Sequence, residues 1–192
     1  MRRIKYALTF VLAALALTVM AASPTASANT DHREGRGDGG LAAVRAATAR
    51  YHRLDVATAN GYGLLKDAAG IACIDNQPVG AMGVHFVNGE LVGSGKIDAL
   101  KPQALVYEPG ENGQMRLVAV EYIAFQGPWD ATHDMAPMLF GQMFMLTTAP
   151  NRFGLPPFYS LHAWVWKNNP SGTFSMWNPT VHCPAAATTP RA

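Results

Sequence analysis

Three side chains stand out by type and setting as ones able to do chemistry: His85, Glu121 and His162. Each falls in the middle of a segment that otherwise reads as a largely apolar strand. An ionisable group there needs a partner, because removing a charge from water without one is costly. Two imidazoles and one carboxylate are a donor set suited to zinc, copper or non-haem iron. Strands would hold such ligands rigidly, as a metal site requires. Their spacing along the chain is non-local, so the pattern names three candidate ligands and leaves their convergence to the fold. The competing reading is structural: separate histidines, each hydrogen-bonded in a half-buried sheet, with Glu121 paired to Arg116 or a lysine.

The elements that must position these residues are readable in outline. Ala81 to Val87 (AMGVHFV) has strand character and is closed by the Asn88-Gly89 turn signal. Simple alternation puts Ala81, Gly83, His85 and Val87 on one face and Met82, Val84 and Phe86 on the other. Small neighbours then leave space beside the His85 ring. Gln103–Tyr107 and Met115–Ala124 read as a hairpin around a turn rich in Pro, Gly and Asn-Gly. In its second strand Met115, Leu117, Ala119, Glu121 and Ile123 share a face.

Ser160–Lys167 is the clearest strand, with Leu161, Ala163 and Val165 on one face and Ser160, His162, Trp164 and Trp166 on the other. Asn168–Gly172 is a turn, and Thr173–Trp177 is expected to return as a partner strand. Upstream, Leu41, Val44, Ala47, Tyr51 and Leu54 form an apolar stripe that predicts one helix over Leu41–Asn60, ended at Asn60-Gly61. Phe125–Pro157 is long and proline-punctuated. Within it Met138–Met145 (MLFGQMFM) fits either a short strand or a buried loop.

Two further chemistries present themselves. Thioethers select Cu(I), and the chain has nine methionines. Met82 lies three residues before His85, and Met135 and Met138 follow His133. Methionine also serves as a filler of irregular core gaps. Trp164, Trp166 and Tyr107, with Trp129 and Trp177, suggest an aromatic groove for a sugar, a lipid or a small apolar ligand; otherwise these rings build the core. His52 lies off the helix stripe and His32 in a polar leader, so both read as surface. The chain shows no G-x-S-x-G elbow, phosphate loop, dinucleotide fingerprint or C-x-x-C-H motif. No catalytic residue is assigned, and binding protein and enzyme both stay open.

The first residues read as a targeting signal. Arg2, Arg3 and Lys5 precede an apolar run over Ala7–Ala22, and Ala26 and Ala28 occupy small-residue cleavage positions. Cutting after Ala28 predicts a secreted, extracytoplasmic protein without a membrane span. Of 192 residues, 164 would remain, enough for one domain with a real core. Twelve basic residues would then face thirteen acidic ones, a balance that argues against nucleic acid or anionic lipid as partner. Asn29–Gly40 reads as a flexible leader, residues 41–183 as a single globular domain and Pro184–Ala192 as a frayed tail. In an oxidising compartment Cys73 and Cys183, the only cysteines, most simply form one disulfide.

Several segments together resemble a family of uncharacterised secreted or periplasmic bacterial proteins. They are Gly80–Asn88 (GAMGVHFVN), Leu105–Pro109 (LVYEP), Leu117–Tyr122 (LVAVEY), Leu139–Gly141, Leu161–Trp166 (LHAWVW) and Asn178–Cys183 (NPTVHC). The resemblance runs from about Tyr51 to Cys183. It implies export and a single domain, and it lends no catalytic residue. His182 departs from the family pattern, which has a small residue before the final cysteine.

The sequence therefore predicts an α+β domain: an N-terminal helix packed on a mainly antiparallel sheet of five or six strands, with long loops and one disulfide. Functionally it points to an exported protein that binds a transition metal (zinc, copper or iron) or a small ligand through His85, Glu121 and His162. The alternative is a metal-free structural or interaction protein of the cell envelope.

Overall fold

The computed structural model describes residues 37–184. The expected signal segment over residues 1–28, most of the leader and the tail beyond Pro184 lie outside the described residues. An α1 helix, Gly37–Thr48, begins inside the stretch expected to be leader. It is followed by a 3₁₀ turn, Ala49–His52, and a short helix α2, Leu54–Ala59. The single helix expected over Leu41–Asn60 is thus broken. The break has a visible cause: the Tyr51 carbonyl, which a continuous helix would use internally, accepts from the Tyr107 hydroxyl at 2.7 Å. Thr48 also turns its hydroxyl onto the Val44 carbonyl at 2.7 Å, and Arg53 is extended.

The rest is a seven-stranded antiparallel sheet in the order β1-β3-β4-β5-β9-β8, with β2 also pairing β3. The strands are β1 Tyr62–Leu64, β2 Cys73–Asn76, β3 Gly80–Asn88, β4 Ala104–Pro109, β5 Met115–Phe125, β8 Met145–Thr147 and β9 Phe158–Ala163. Short helices α3 (Gly89–Gly93) and α4 (Gln126–Asp130) follow β3 and β5. Asn88 does not turn a hairpin; its side chain accepts from the amides of Glu90 and Leu91 and starts α3. The ambiguous Met138–Met145 segment holds a small hairpin, β6 Met138–Leu139 with β7 Gln142–Met143, before β8 joins the main sheet. The predicted α+β class with a mainly antiparallel sheet is what forms.

Register decides which residues share a face. Phe86, Leu105, Val120 and Ala163 stand opposite one another across β3, β4, β5 and β9. All four belong to the larger core, beneath Leu41, Val44, Tyr51 and Ala57 of the helical segment. The neighbouring row, Val87, Ala104, Glu121 and His162, faces the other side.

Two bulges correct the expected alternation. Between Ile74 and Asp75 the β2–β3 register slips by one at Met82, next to Gly83, whose φ is 103°. A Cβ on Gly83 would lie 2.6 Å from the Tyr107 carbonyl oxygen, so only glycine fits there. Across the bulge Met82 comes to border the same cavity as His85, although alternation placed them on opposite faces. A second slip at Val118 sends Leu117 into the helix-side core, away from the Glu121 face.

The expected strand over Ser160–Lys167 ends at Ala163, and Thr173–Trp177 does not pair as a strand. Trp164 makes one backbone bond to Thr173, and asparagine side chains take over from the ladder. Asn169 donates to the Trp177 carbonyl at 3.0 Å, and Asn178 to the Asn168 carbonyl at 3.1 Å. Asn178 is bridged through its backbone to Ala81. Its carbonyl would lie 2.5 Å from a Cβ on Gly80.

The tail is tied down twice more. Cys73 and Cys183 form the predicted disulfide, with Cα atoms 5.6 Å apart and a sequence separation of 110. Buried Glu108 accepts from Lys167 Nζ at 2.8 and 2.9 Å and from Arg116. Burial alone would raise the Glu108 carboxyl, but these two cations hold it below its ordinary range. No helix among the described residues is long and apolar enough to cross a membrane. Replacing both cysteines by serine is expected to lower unfolding stability by about 4 to 5 kcal/mol at most, the chain-entropy value for so long a loop. Chemical denaturation measures it, and a stability unchanged from the oxidised protein would contradict the clamp.

Candidate metal centre

His85, Glu121 and His162 meet on the face of the sheet opposite the helices. Glu121 and His162 are direct cross-strand partners on β5 and β9. His85 reaches them from β3, across the whole width of β4. On β4 His85 stands opposite Val106, and Ala104, which lies between Val87 and Glu121 in the neighbouring row, carries only a methyl group. A branched side chain at that point would fill the space in which the three meet.

The convergence is close. His85 Nε2 lies 3.4 Å from His162 Nε2 and 3.5 Å from Glu121 Oε2. His162 Nδ1 is 3.6 Å from Glu121 Oε1. The two rings are nearly perpendicular, at 87°, with centroids 5.7 Å apart. One donor atom from each of the three lies within 4.8 Å of the others. Zinc–nitrogen bonds of about 2.0–2.1 Å put tetrahedral donors about 3.3–3.4 Å apart. The two distances from His85 Nε2 are therefore those expected around a single small cation.

All three groups are buried: His85 and His162 are 2% exposed and Glu121 6%. Burial pushes both imidazoles down to about 4. For His85 the Glu121 carboxylate opposes that fall, while His162 and Arg152 add to it. Burial pushes Glu121 up, against the attraction of His85 and a hydrogen bond from Ser160. The imidazoles are neutral at physiological pH, the form that ligates metal.

His85 Nδ1 is the single buried side-chain nitrogen or oxygen among the described residues that lacks a hydrogen-bond partner. The Gly83 carbonyl is the backbone group that favours its protonated form. A proton on Nδ1 leaves the Nε2 lone pair facing Glu121 and His162. This is the tautomer a ligating histidine needs.

Arg116, the expected partner of Glu121 in the structural reading, is engaged by Glu108 instead. The aromatic groove does not form as expected. Tyr107 is fully buried in the helix-side core and bonds to Tyr51. Trp164 is buried in a smaller cluster with Ala81, Val106 and Val181 and lies 6.2 Å from the His162 ring. Trp166, past the strand end, swings to the helix side, where its indole donates to Thr48 Oγ1 at 3.1 Å and meets the exposed His52 edge-on. Trp164 and Trp166 border a largely polar cleft, without Tyr107. His133 stacks on Trp129 at 3.8 Å, and Met135 and Met138 are exposed; none of them borders the cavity beside His85.

That cavity encloses about 640 Å³ and is bordered by all three members of the cluster. Ile123 and Phe125 line it by continuing the Glu121 row, and Ser160 and Phe158 by continuing the His162 row. Period-two counting from either ligand reaches these four. Arg152, Met176 and Trp177 come from irregular segments, and no periodicity signals them. No family model, curated protein or solved structure matches this chain.

Two outcomes follow from the geometry. The unfolded chain takes up protons on His85 and His162 below about pH 6.5, while the folded chain resists until about 4. Stability is therefore lost on acidification through that window, on the order of 3 kcal/mol per imidazole. The raised Glu121 acts oppositely, stabilising below its ordinary value and losing that contribution as pH rises. Between about pH 4 and 6 two imidazoles outweigh one carboxylate. Urea unfolding of metal-free protein should show falling stability there, steeper in Glu121→Gln; a flat profile would contradict the burial of neutral imidazoles. Ala104→Leu is expected to cost about 1–3 kcal/mol and to move the His85 titration back towards 6.5 by NMR. A titration left near 4 would show that Ala104 does not make the room.

Proposed function

We propose that this is an exported protein that holds one transition-metal ion through His85, Glu121 and His162 and presents it to the adjacent cavity. The supporting observation is the spacing of the donors: Nε2 to Nε2 at 3.4 Å and Nε2 to carboxylate oxygen at 3.5 Å, within a buried, three-strand setting. Zinc, copper and non-haem iron all accept two imidazoles and a carboxylate. Three protein ligands leave a four-coordinate ion one position for water or an exogenous molecule. With the proton of neutral His85 on Nδ1, its Nε2 lone pair faces the other two groups.

Export is supported by the basic, apolar and small-residue order of residues 1–28 and by a disulfide compatible with an oxidising compartment. The resemblance to uncharacterised secreted or periplasmic bacterial proteins points the same way.

The test is metal analysis of protein purified without a histidine tag and reconstituted separately with zinc, copper and iron. About one ion per chain is expected. His85→Ala and His162→Ala should lose it while keeping the far-ultraviolet circular dichroism of the parent. Parent protein that takes up none of these metals, or variants that bind them undiminished, would rule out the assignment.

A further inference from the structure

The cavity beside the cluster has a ligand chemistry of its own. Its volume of about 640 Å³ falls in the range of sites that enclose a small organic molecule. Hydrocarbon forms most of the wall, with Ile123, Phe125 and Phe158 from the sheet and Leu65 and Leu155 from the covering loops. Asp75, Glu121 and Arg152 are the charged side chains on it, so the lining is more acidic than basic.

Arg152 is already committed. Its Nη2 and Nε donate to Asp67 Oδ2 at 2.9 and 3.3 Å, and its Nη1 lies 3.5 Å from the Asp75 carbonyl. Asp67 is itself fixed by the amides of Ala69 and Ile71. Arg152 is thus not released to receive a ligand, and a polar head group would have to be met at the cluster. Besides the His85, Glu121 and His162 cluster, Asn76, Thr147, Asn151 and Ser160 bring polar side chains to the cavity's border.

We propose that this cavity binds a small, mostly hydrocarbon molecule whose single lone-pair donor atom faces the cluster and completes the coordination of its ion. The last contact rests on the metal reading above. Selectivity comes from two opposed regions: hydrocarbon walls favour an alkyl or aryl body, and the cluster favours one donor nitrogen, oxygen or sulfur at its end. Met176 and Trp177 also border the cavity, carried by the tail segment that Asn178 bridges to Ala81. Trp177 is therefore placed to report occupancy by its fluorescence.

The experiment uses the zinc-reconstituted protein with N-phenyl-1-naphthylamine, a neutral fluorescent probe. Binding is expected to raise its emission and quench tryptophan. 1-Hexylimidazole should displace the probe roughly tenfold better than hexylbenzene, which has a similar hydrocarbon body and no donor atom. Leu155→Trp, which fills the cavity from a loop, and Val87→Phe, which fills it from β3, should each weaken the probe roughly tenfold or more. His162→Ala should keep probe binding and lose the preference for the imidazole. Probe binding unaffected by both filling variants, or hexylbenzene competing as well as 1-hexylimidazole, would overturn the proposal. Metal uptake without probe binding overturns it too, and leaves the metal reading standing. Probe binding without metal uptake contradicts the metal reading and, with it, the contact from donor atom to ion.

Discussion

Desolvation of two imidazoles and one carboxylate is the constraint around which this domain is arranged. Each group taken alone would be expensive to bury. Brought within about one hydrogen-bond length and a half of each other, they share the problem, but they do not solve it between themselves. Contacts of 3.4, 3.5 and 3.6 Å are too long and too crowded to be three good hydrogen bonds. The 3.4 and 3.5 Å distances from His85 Nε2 are natural edges of a coordination polyhedron, while the 3.6 Å contact uses the other nitrogen of His162. The cluster is thus better suited to enclosing a cation than to satisfying itself.

The surrounding fold can be understood as what makes that enclosure possible. Strand β4 separates His85 from Glu121, with Val106 opposite His85 and the Ala104 methyl opposite Glu121. The slip at Met82 beside Gly83 re-aims β3, and the slip at Val118 lets β5 bury Leu117 on one side while Glu121 faces the other. On the cavity side the sheet meets one short helix among the described residues, α3, through Gly89, Val92 and Gly93. The rest of its cover is a set of loops and the C-terminal tail, held by the disulfide, by the two cations on Glu108 and by the Asn178 bridge. Packing of the helical segment supplies one face of the core, and cross-links supply the closure of the other. A cavity next to the cluster survives because those cross-links hold loops in place without needing to fill the space with side chains.

Much of this was legible in the chain itself, and the failures have physical causes. Mid-strand position picked out His85, Glu121 and His162, because a polar residue in an apolar alternation is conspicuous. Cysteine number and compartment picked out the disulfide. What alternation could not supply was register. Whether Glu121 faces His162 depends on β5–β9 pairing, and whether His85 reaches them depends on the β3–β4 and β4–β5 registers. Bulges defeated period-two counting at Met82 and Leu117, since one extra residue inverts every later face. The helix was expected to run on through Tyr51, and a hydroxyl from distant Tyr107 takes the carbonyl it needed. Trp164, Trp166 and Tyr107 looked like one aromatic surface because all are large and two lie close in sequence. The strand ends at Ala163, so Trp164 and Trp166 part company beyond it. The irregular Thr173–Trp177 segment is held by asparagine side chains, a pattern that strand propensity does not encode.

The central claim is that His85, Glu121 and His162 surround one metal ion, and X-ray absorption spectroscopy of the zinc-reconstituted protein tests it most directly. The account predicts a low-coordinate shell of nitrogen and oxygen at about 2.0–2.1 Å, with outer-shell scattering from two imidazole rings. A six-coordinate, water-like shell without imidazole scattering, or a sulfur shell at about 2.3 Å, would contradict it.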